Sequence, residues 1–328
     1  MKKIYGNSEM LSTFRSMVSS GRTAHTLLIY GEKGSGRKLA ASYYTQLLLC
    51  EAPTPEGPCG RCPACRNTEH GAHPDVVYAE RSGKLGGYSV DTARDIISDA
   101  FIKPNNNTGR KIYLFTDCHN VDIRTQNTLL KLIEEPPDYA YFIFTAESKA
   151  EFLPTVISRS VCLSTSLCTA EDTRAALADE GFSENDIQKA MECFHGNIGR
   201  CISYITDENV RKQVDLTKSL ADSIIRKDEY ALNVAFNAAG KERSDAREVL
   251  SLLDQLVRDA AVLGENKDAE LIGCCRSCAE GLSALLTAGQ AMRIHWRIER
   301  AWEAVEANVS IPLVLTALCA EIADIAGQ

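Results

Sequence analysis

The stretch that most restricts how this chain can fold is Gly31-Glu32-Lys33-Gly34-Ser35-Gly36-Arg37-Lys38. The apolar run Thr26 to Tyr30 before it predicts a buried strand, and Arg37 to Leu49 after it predicts a helix with Leu39, Tyr43, Leu47 and Cys50 on one face. A glycine-rich turn between strand and helix is the setting of a phosphate loop. There backbone N–H groups cradle phosphate, a lysine reaches its outer oxygens, and a hydroxyl ligates magnesium. Gly31 and Gly36 have the required spacing, with Gly34 between them. The lysine position, however, is Arg37, and the hydroxyl position is Lys38, a cation that cannot ligate a hard metal. Sliding the register by one fails as well, because position 37 is not glycine and the first glycine would fall on Glu32. Taken alone, the same residues also fit a glycine turn that opens an ordinary helix.

A second landmark lies at the end of another apolar run, Lys111 to Phe115, which continues into Thr116-Asp117-Cys118-His119. Nucleoside triphosphatases present an aspartate to the magnesium shell in this way. Where a following glutamate would activate water, this chain has Cys118. Asp117 alone also reads as a turn or cap residue.

The third landmark is Cys50, Cys59, Cys62 and Cys65, spaced C-x8-C-x2-C-x2-C around a Pro- and Gly-rich insertion. Four thiolates suit a closed tetrahedral structural zinc site. An iron–sulfur cluster is the rival, but the ferredoxin run needs another cysteine and a proline where Arg66 to Glu69 stand. Unmetallated thiols are the remaining option, and His70 and His73 find no place in a four-cysteine set.

Strands are further predicted at Asp75–Ala79, Tyr141–Thr145 and Val161–Leu163, alternating with helices at 8–20, 90–101 and 122–135, the last stopped by Pro136-Pro137. This alternation argues a parallel α/β sheet covered on both faces. From Thr169 onward the pattern is helical, with apolar faces such as Val249, Leu252, Leu253, Leu256 and Val257. Cys274, Cys275 and Cys278 are expected inside one of those helices as buried or half-buried thiols rather than as a second metal site, and Trp296 and Trp302 as core or interface anchors.

The 328 residues suffice for two or three domains. No secretory leader is expected behind Lys2 and Lys3, and no run is long enough to span a bilayer, so a cytoplasmic protein without a membrane partner is expected. In that compartment the 13 cysteines are expected as thiols or metal ligands rather than disulfides. Residues 1–165 hold 19 Lys+Arg against 17 Asp+Glu, and residues 166–328 hold 17 against 27. Neither half is basic enough to grip a polyanion alone, and the acidic second half suits protein contacts.

In their order these landmarks resemble the AAA+ clamp-loader ATPases of bacterial DNA polymerase III. The resemblance is carried by the cysteine module, by Gly71-Ala72-His73-Pro74-Asp75, and by Asn127-Thr128-Leu129-Leu130-Lys131-Leu132-Ile133-Glu134-Glu135-Pro136-Pro137. It implies an AAA+ nucleotide-fold domain over 1–165 with a zinc module at 50–65, a small helical lid over 166–208 and an all-α collar over 209–328. It also implies that Ser158-Arg159-Ser160 stands where the family has a serine-arginine-cysteine motif, making Arg159 an arginine finger for ATP held by a neighbouring subunit. Arg200 matches a second sensor arginine. Gly31, Gly34, Gly36, Arg37, Lys38, Asp117 and Arg200 would then form a degenerate nucleotide site that does not turn over ATP. The implied role is a non-catalytic stator within the polymerase III holoenzyme, partnered by motor ATPase subunits and a delta subunit in a hetero-oligomeric ring that loads a sliding clamp onto primed DNA. Two rival readings are an active motor ATPase, opposed by Arg37, Lys38 and Cys118, and a zinc-dependent nucleic-acid adaptor.

Overall fold

The computed structural model describes residues 3–82, 87–119, 121–240 and 242–327. The chain divides into two units, Met1–Thr173 and Arg174–Gln328.

In the first unit a five-stranded, all-parallel sheet has the order β2-β3-β4-β1-β5. Its strands are β1 (Thr26–Tyr30), β2 (Val76–Tyr78), β3 (Lys111–Phe115), β4 (Ala140–Ala146) and β5 (Val161–Ser164). The unit's helices are α1 (Ser8–Ser19), α2 (Arg37–Leu49), α3 (Pro63–Glu69), α4 (Val90–Ala100), α5 (Ile123–Glu134) and the short α6 (Pro154–Ile157). The inner strands read as unbroken apolar runs because both sheet faces are covered, and side chains alternate between those faces. Leu27 and Ile29 of β1 pack with Phe14, Tyr44 and Leu48 in one cluster, while Leu28 between them packs with Phe142, Phe144 and Leu129 in another. Directly paired positions on β3 and β4 stack their rings, Tyr113 on Phe142 at 5.1 Å and Phe115 on Phe144 at 4.6 Å. Such aromatic pairs fix the register of a strand pair. β2 is shorter than its sequence pattern suggests because Asp75 is spent on a turn. Its carboxylate accepts from the Asn106 side chain (2.7 Å) and the Asn105 amide (3.2 Å), and its amide donates to His73 Nδ1 (3.2 Å). That explains His73-Pro74-Asp75 structurally: it turns the chain into β2.

β1 lies between β4 and β5, so the chain leaves β1 on one side and returns on the other. Crevices at such switch points, outside the carboxyl ends of parallel strands, are where α/β sheets place ligands. The Gly31 loop, Asp117, Glu147 and Thr165 all follow strand ends on that edge.

The second unit is helical. α7 (Ala170–Asp179) spans the boundary, followed by α8 (Glu184–Phe194), α9 (Ile198–Thr206), α10 (Glu208–Ile225), α11 (Glu229–Ala239), α12 (Arg243–Glu265), α13 (Arg276–Leu285), α14 (Ala288–Glu306) and α15 (Ile311–Gly327). One apolar cluster runs through it from Leu177 to Ala326, with Val249, Leu252, Leu253, Leu256 and Val257 of α12 fully inside. Of the two alternatives for Trp296 and Trp302, core or interface anchor, the core one is excluded, since they are 58% and 39% exposed, with Trp302 lying beneath the Arg247 guanidinium. One expectation is corrected here. Cys274 and Cys275 precede α13 rather than lying inside it, and Cys275 is disulfide-bonded to Cys278 instead of being a buried or half-buried thiol. A cysteine at the N-cap and another three residues on stand on one side of the first helical turn, which brings their sulfurs together. No helix of the described residues is long and apolar enough to cross a membrane.

Candidate functional site

The loop after β1 turns into α2 through glycines with positive φ at Gly31, Gly34 and Gly36. Gly36, the N-cap of α2, has φ +91°, and Gly31 has φ +150° with Thr165 Oγ1 only 2.2 Å from where a Cβ would stand. Glycine is required at both positions. Ser35 fastens the loop: its hydroxyl donates to the Glu32 carbonyl (2.7 Å) and meets Thr165 Oγ1 (2.6 Å) beyond the end of β5.

The side chains then fill the space the backbone leaves. Arg37 is 5% exposed and curls back into its own loop, Nη1 donating to the Gly31 carbonyl at 2.8 Å. Its Nη2 faces Asp117 Oδ1 (3.7 Å) and Glu147 Oε1 (3.5 Å). Lys38 is ion-paired with the other Asp117 oxygen, and Arg81 reaches the same oxygen at 3.3 Å while donating to the Thr116 carbonyl at 2.6 Å. Asp117 takes the left-handed conformation (φ +49°), its amide held by Thr145 Oγ1 at 2.8 Å. Non-glycine residues rarely adopt that conformation, and they do so where the surroundings over-determine it. Partial burial pushes the Asp117 carboxyl up, but Lys38, then Arg37 and Arg81, outweigh it and hold the carboxyl below the usual carboxylate range. Three cations thus converge on the one carboxylate that a magnesium shell would need, so the donor set does not fit magnesium. Cys118 lies in the apolar cluster behind β3 and β4, 1% exposed, with its thiol donating to the Phe115 carbonyl (3.4 Å) and its pKa pushed up by burial. It has neither the charge nor the access to activate water.

The cysteine module is built from the C-terminus of α2 and the start of α3. Cys50 caps α2, Cys62 is the N-cap of α3 with Pro63 at its first position, and Cys65 sits in the first turn. Three backbone amides donate to sulfur: Cys59 to Cys50 (3.3 Å), Cys62 to Cys59 (3.4 Å) and Cys65 to Cys62 (3.4 Å). All four sulfurs lie within 4.8 Å of one another. A tetrahedral ion with thiolates at about 2.3 Å needs sulfur pairs about 3.8 Å apart, and Cys59 and Cys65 are 3.9 Å apart. Backbone donors at Arg61 and Cys62 pull the Cys59 thiol down to about 6, while burial pushes Cys50 and Cys65 up. The four residues are placed to hold a metal ion, with the Gln46 side-chain amide donating to the Cys65 carbonyl (2.9 Å) behind them.

Arg159 follows α6 and is 39% exposed. Its Nη1 donates to the Thr155 carbonyl (2.9 Å) and Ser158 Oγ (3.3 Å), and its Nη2 is paired with Glu134 at the end of α5 (2.9 Å). Arg200 belongs to the second unit, where it is ion-paired with Glu248 and stacks 4.5 Å from the Phe194 ring centroid. Arg81, Glu147, Thr145, Thr165 and Glu134 were not singled out by the sequence. Each is an ordinary polar residue whose partner lies far away along the chain, so no local spacing marks it.

A sequence profile described as DNA polymerase III, delta subunit, matches residues 6–167. The chain is 32% identical over 138 residues to DNA polymerase III subunit delta' of Pseudomonas aeruginosa, covering 42% of each protein. It is 29% identical over 156 residues to subunit tau of Bacillus subtilis, covering 48% of this chain and 27% of that protein. The chain therefore spans less than half the length of these curated relatives. Among solved structures, a gamma subunit-related protein of Thermotoga maritima aligns over 97% of this chain and 99% of its own at 15% identity and a TM-score of 0.45. Through residues 6–167, the segment that holds the closed loop, the cysteine module and Arg159, the chain is similar to the DNA polymerase III delta-subunit family.

Proposed function

We propose that the chain is a non-catalytic stator of a bacterial clamp loader, of the delta-prime kind. It would sit beside ATP-hydrolysing motor subunits and a delta subunit in a hetero-oligomeric ring in the cytoplasm. The ring would open a sliding clamp and load it onto primed DNA. In this reading 1–165 is the AAA+ domain, 166–208 a lid and 209–328 a collar through which the ring assembles. Arg159 acts in trans on the ATP of a neighbour. A guanidinium is permanently charged and forked, and such a finger accounts for about 10³- to 10⁵-fold in rate.

The observation that carries the reading is the fate of Asp117. Its carboxylate is committed to Lys38, Arg37 and Arg81, and Arg37 occupies its own loop. A motor subunit needs both groups free for magnesium and phosphate. Arg200, engaged with Glu248, is structural in this reading.

Reconstitution with motor subunits, clamp and primed DNA tests the proposal. Arg159→Ala is expected to lower clamp- and DNA-stimulated hydrolysis by about 10³-fold at the shared site while leaving assembly intact. Unchanged hydrolysis in an intact ring would remove Arg159 from the reaction. We further propose that the metal is structural zinc, held by Cys50, Cys59, Cys62 and Cys65, where it ties the insertion to α2. About one zinc per chain is expected by elemental analysis, lost in Cys62→Ser. A metal-free native chain would refute it.

A further inference from the structure

Two cysteines outside the four-sulfur module are placed for chemistry of their own. Cys275 is the N-cap of α13, partly exposed between exposed Arg276 and Ser277 and the buried Cys274. Its sulfur accepts the backbone N–H of Cys278 (3.2 Å) and meets Ser277 Oγ at 3.4 Å. Cys278 is 6% exposed, with its Cα 5.3 Å from that of Cys275, inside the span a disulfide bridges without backbone movement. A thiolate at a helix N-terminus is stabilised by the unpaired amides and the positive end of the helix dipole. The Arg276 guanidinium, paired with Glu280 at 2.9 Å, adds a cation in the same turn.

The segment entering the pair is pinned from α12. The carboxylate of Asp259, 1% exposed, accepts the amides of Ile272 (3.0 Å) and Gly273 (2.6 Å). A Cβ at Gly273 would stand 2.8 Å from Leu256, and one at Gly281 would stand 2.6 Å from Ile225 of α10. The turn is therefore seated whether or not the sulfurs are joined. Cys274 supplies the contrast within the same turn: 2% exposed, its thiol is pushed up to about 12 by burial.

We propose that Cys275 and Cys278 form a thiol–disulfide exchange site whose co-substrate is a low-molecular-weight disulfide of the glutathione class. The reachable Cys275 thiolate attacks one sulfur of the small disulfide, forming a mixed disulfide and expelling one thiolate. Cys278, deprotonated, then attacks Cys275 Sγ, closing the intramolecular bond and expelling the second thiolate. Two electrons pass from the dithiol to the small disulfide, and the two thiol protons end on the two small thiols. An excess of the reduced small thiol drives the same steps backward.

The test uses the full-length, metal-loaded chain, equilibrated in glutathione buffers from fully reduced to mostly oxidised, quenched with acid, alkylated and mapped by peptide mass. The expected result is a Cys275–Cys278 link that forms on the oxidising side and disappears on the reducing side, with Cys274 alkylated only after unfolding. In Cys278→Ser one glutathione adduct should accumulate on Cys275, and in Cys275→Ser none should form on Cys278. Serine is itself a good N-cap, so the latter variant keeps the start of α13. Thiols at 275 and 278 that alkylate fully at every buffer ratio in the native chain would overturn the proposal, as would an adduct carried by Cys278.

Discussion

The phosphate-loop arginine and the exposed arginine after α6 face opposite demands. Arg37 is nearly buried and is engaged by a backbone carbonyl and two carboxylates that follow two other strands. Arg159 is more than a third exposed, and its carboxylate partner Glu134 is as open to water as it is. A buried cation is held in place by its acceptors, because withdrawing them strands its charge in low dielectric. A half-exposed pair costs little to part. The same side chain is thus committed to the fold in one place and free to change partners in the other.

Removing the two guanidiniums in turn is the sharpest way to break this comparison. Arg37→Ala should lower unfolding free energy by about 2–3 kcal/mol, since hydrogen bonds to charged groups are lost and two acids lose a counter-ion. Arg159→Ala should stay within about 0.5 kcal/mol of the parent in the same denaturant titration. Equal losses would erase the distinction.

If Arg159 acts in trans as proposed, a smaller effect is expected at Glu134, its ion-pair partner. Its ion pair is exposed and of the kind worth about 0.2–1 kcal/mol, so Glu134→Gln should lower kcat of the reconstituted assembly by about two- to fivefold with KM for ATP unchanged. Glu134→Asp should restore part of it. A KM change without a kcat change would mean that Glu134 serves packing rather than the finger.

The smallest effect is a pH dependence. Asp117 is held below its unfolded value, so its contribution to stability is fully present above about pH 4 and is lost as pH falls through the lower folded value. Asp117→Asn should flatten the acid limb of stability below about pH 4 relative to the parent. An identical acid limb in both proteins would mean that the three cations do not stabilise that carboxylate.

The fold of the first unit was largely legible because its signals are local. Apolar runs gave β1, β3 and the positions of β4 and β5, and the glycine spacing placed the loop at the carboxyl end of β1. The cysteine spacing likewise points to one cluster, and the four sulfurs lie together. What stayed hidden was long-range. Thr165 touches Ser35 across 130 residues, and Arg81 reaches Asp117 across 36, so nothing in either segment announces the other. From sequence, Arg37 and Lys38 stood out as wrong residues for phosphate chemistry. Only the structure adds that they neutralise Asp117. The Cys275–Cys278 pair was missed for a different reason: helical periodicity carried straight through Cys274, whereas the helix starts after Cys275. Spacing left the tryptophans open between core and interface because a large aromatic fits a core and an exposed helix face equally well, and exposure removes the first.

The closed loop is tested most directly by titrating the purified chain with a fluorescent ATP analogue and magnesium, then following phosphate release in the same sample. No saturable binding and no release are expected, because Arg37 fills the loop and Asp117 is already claimed. Tight binding with turnover would contradict the account and make this chain a motor.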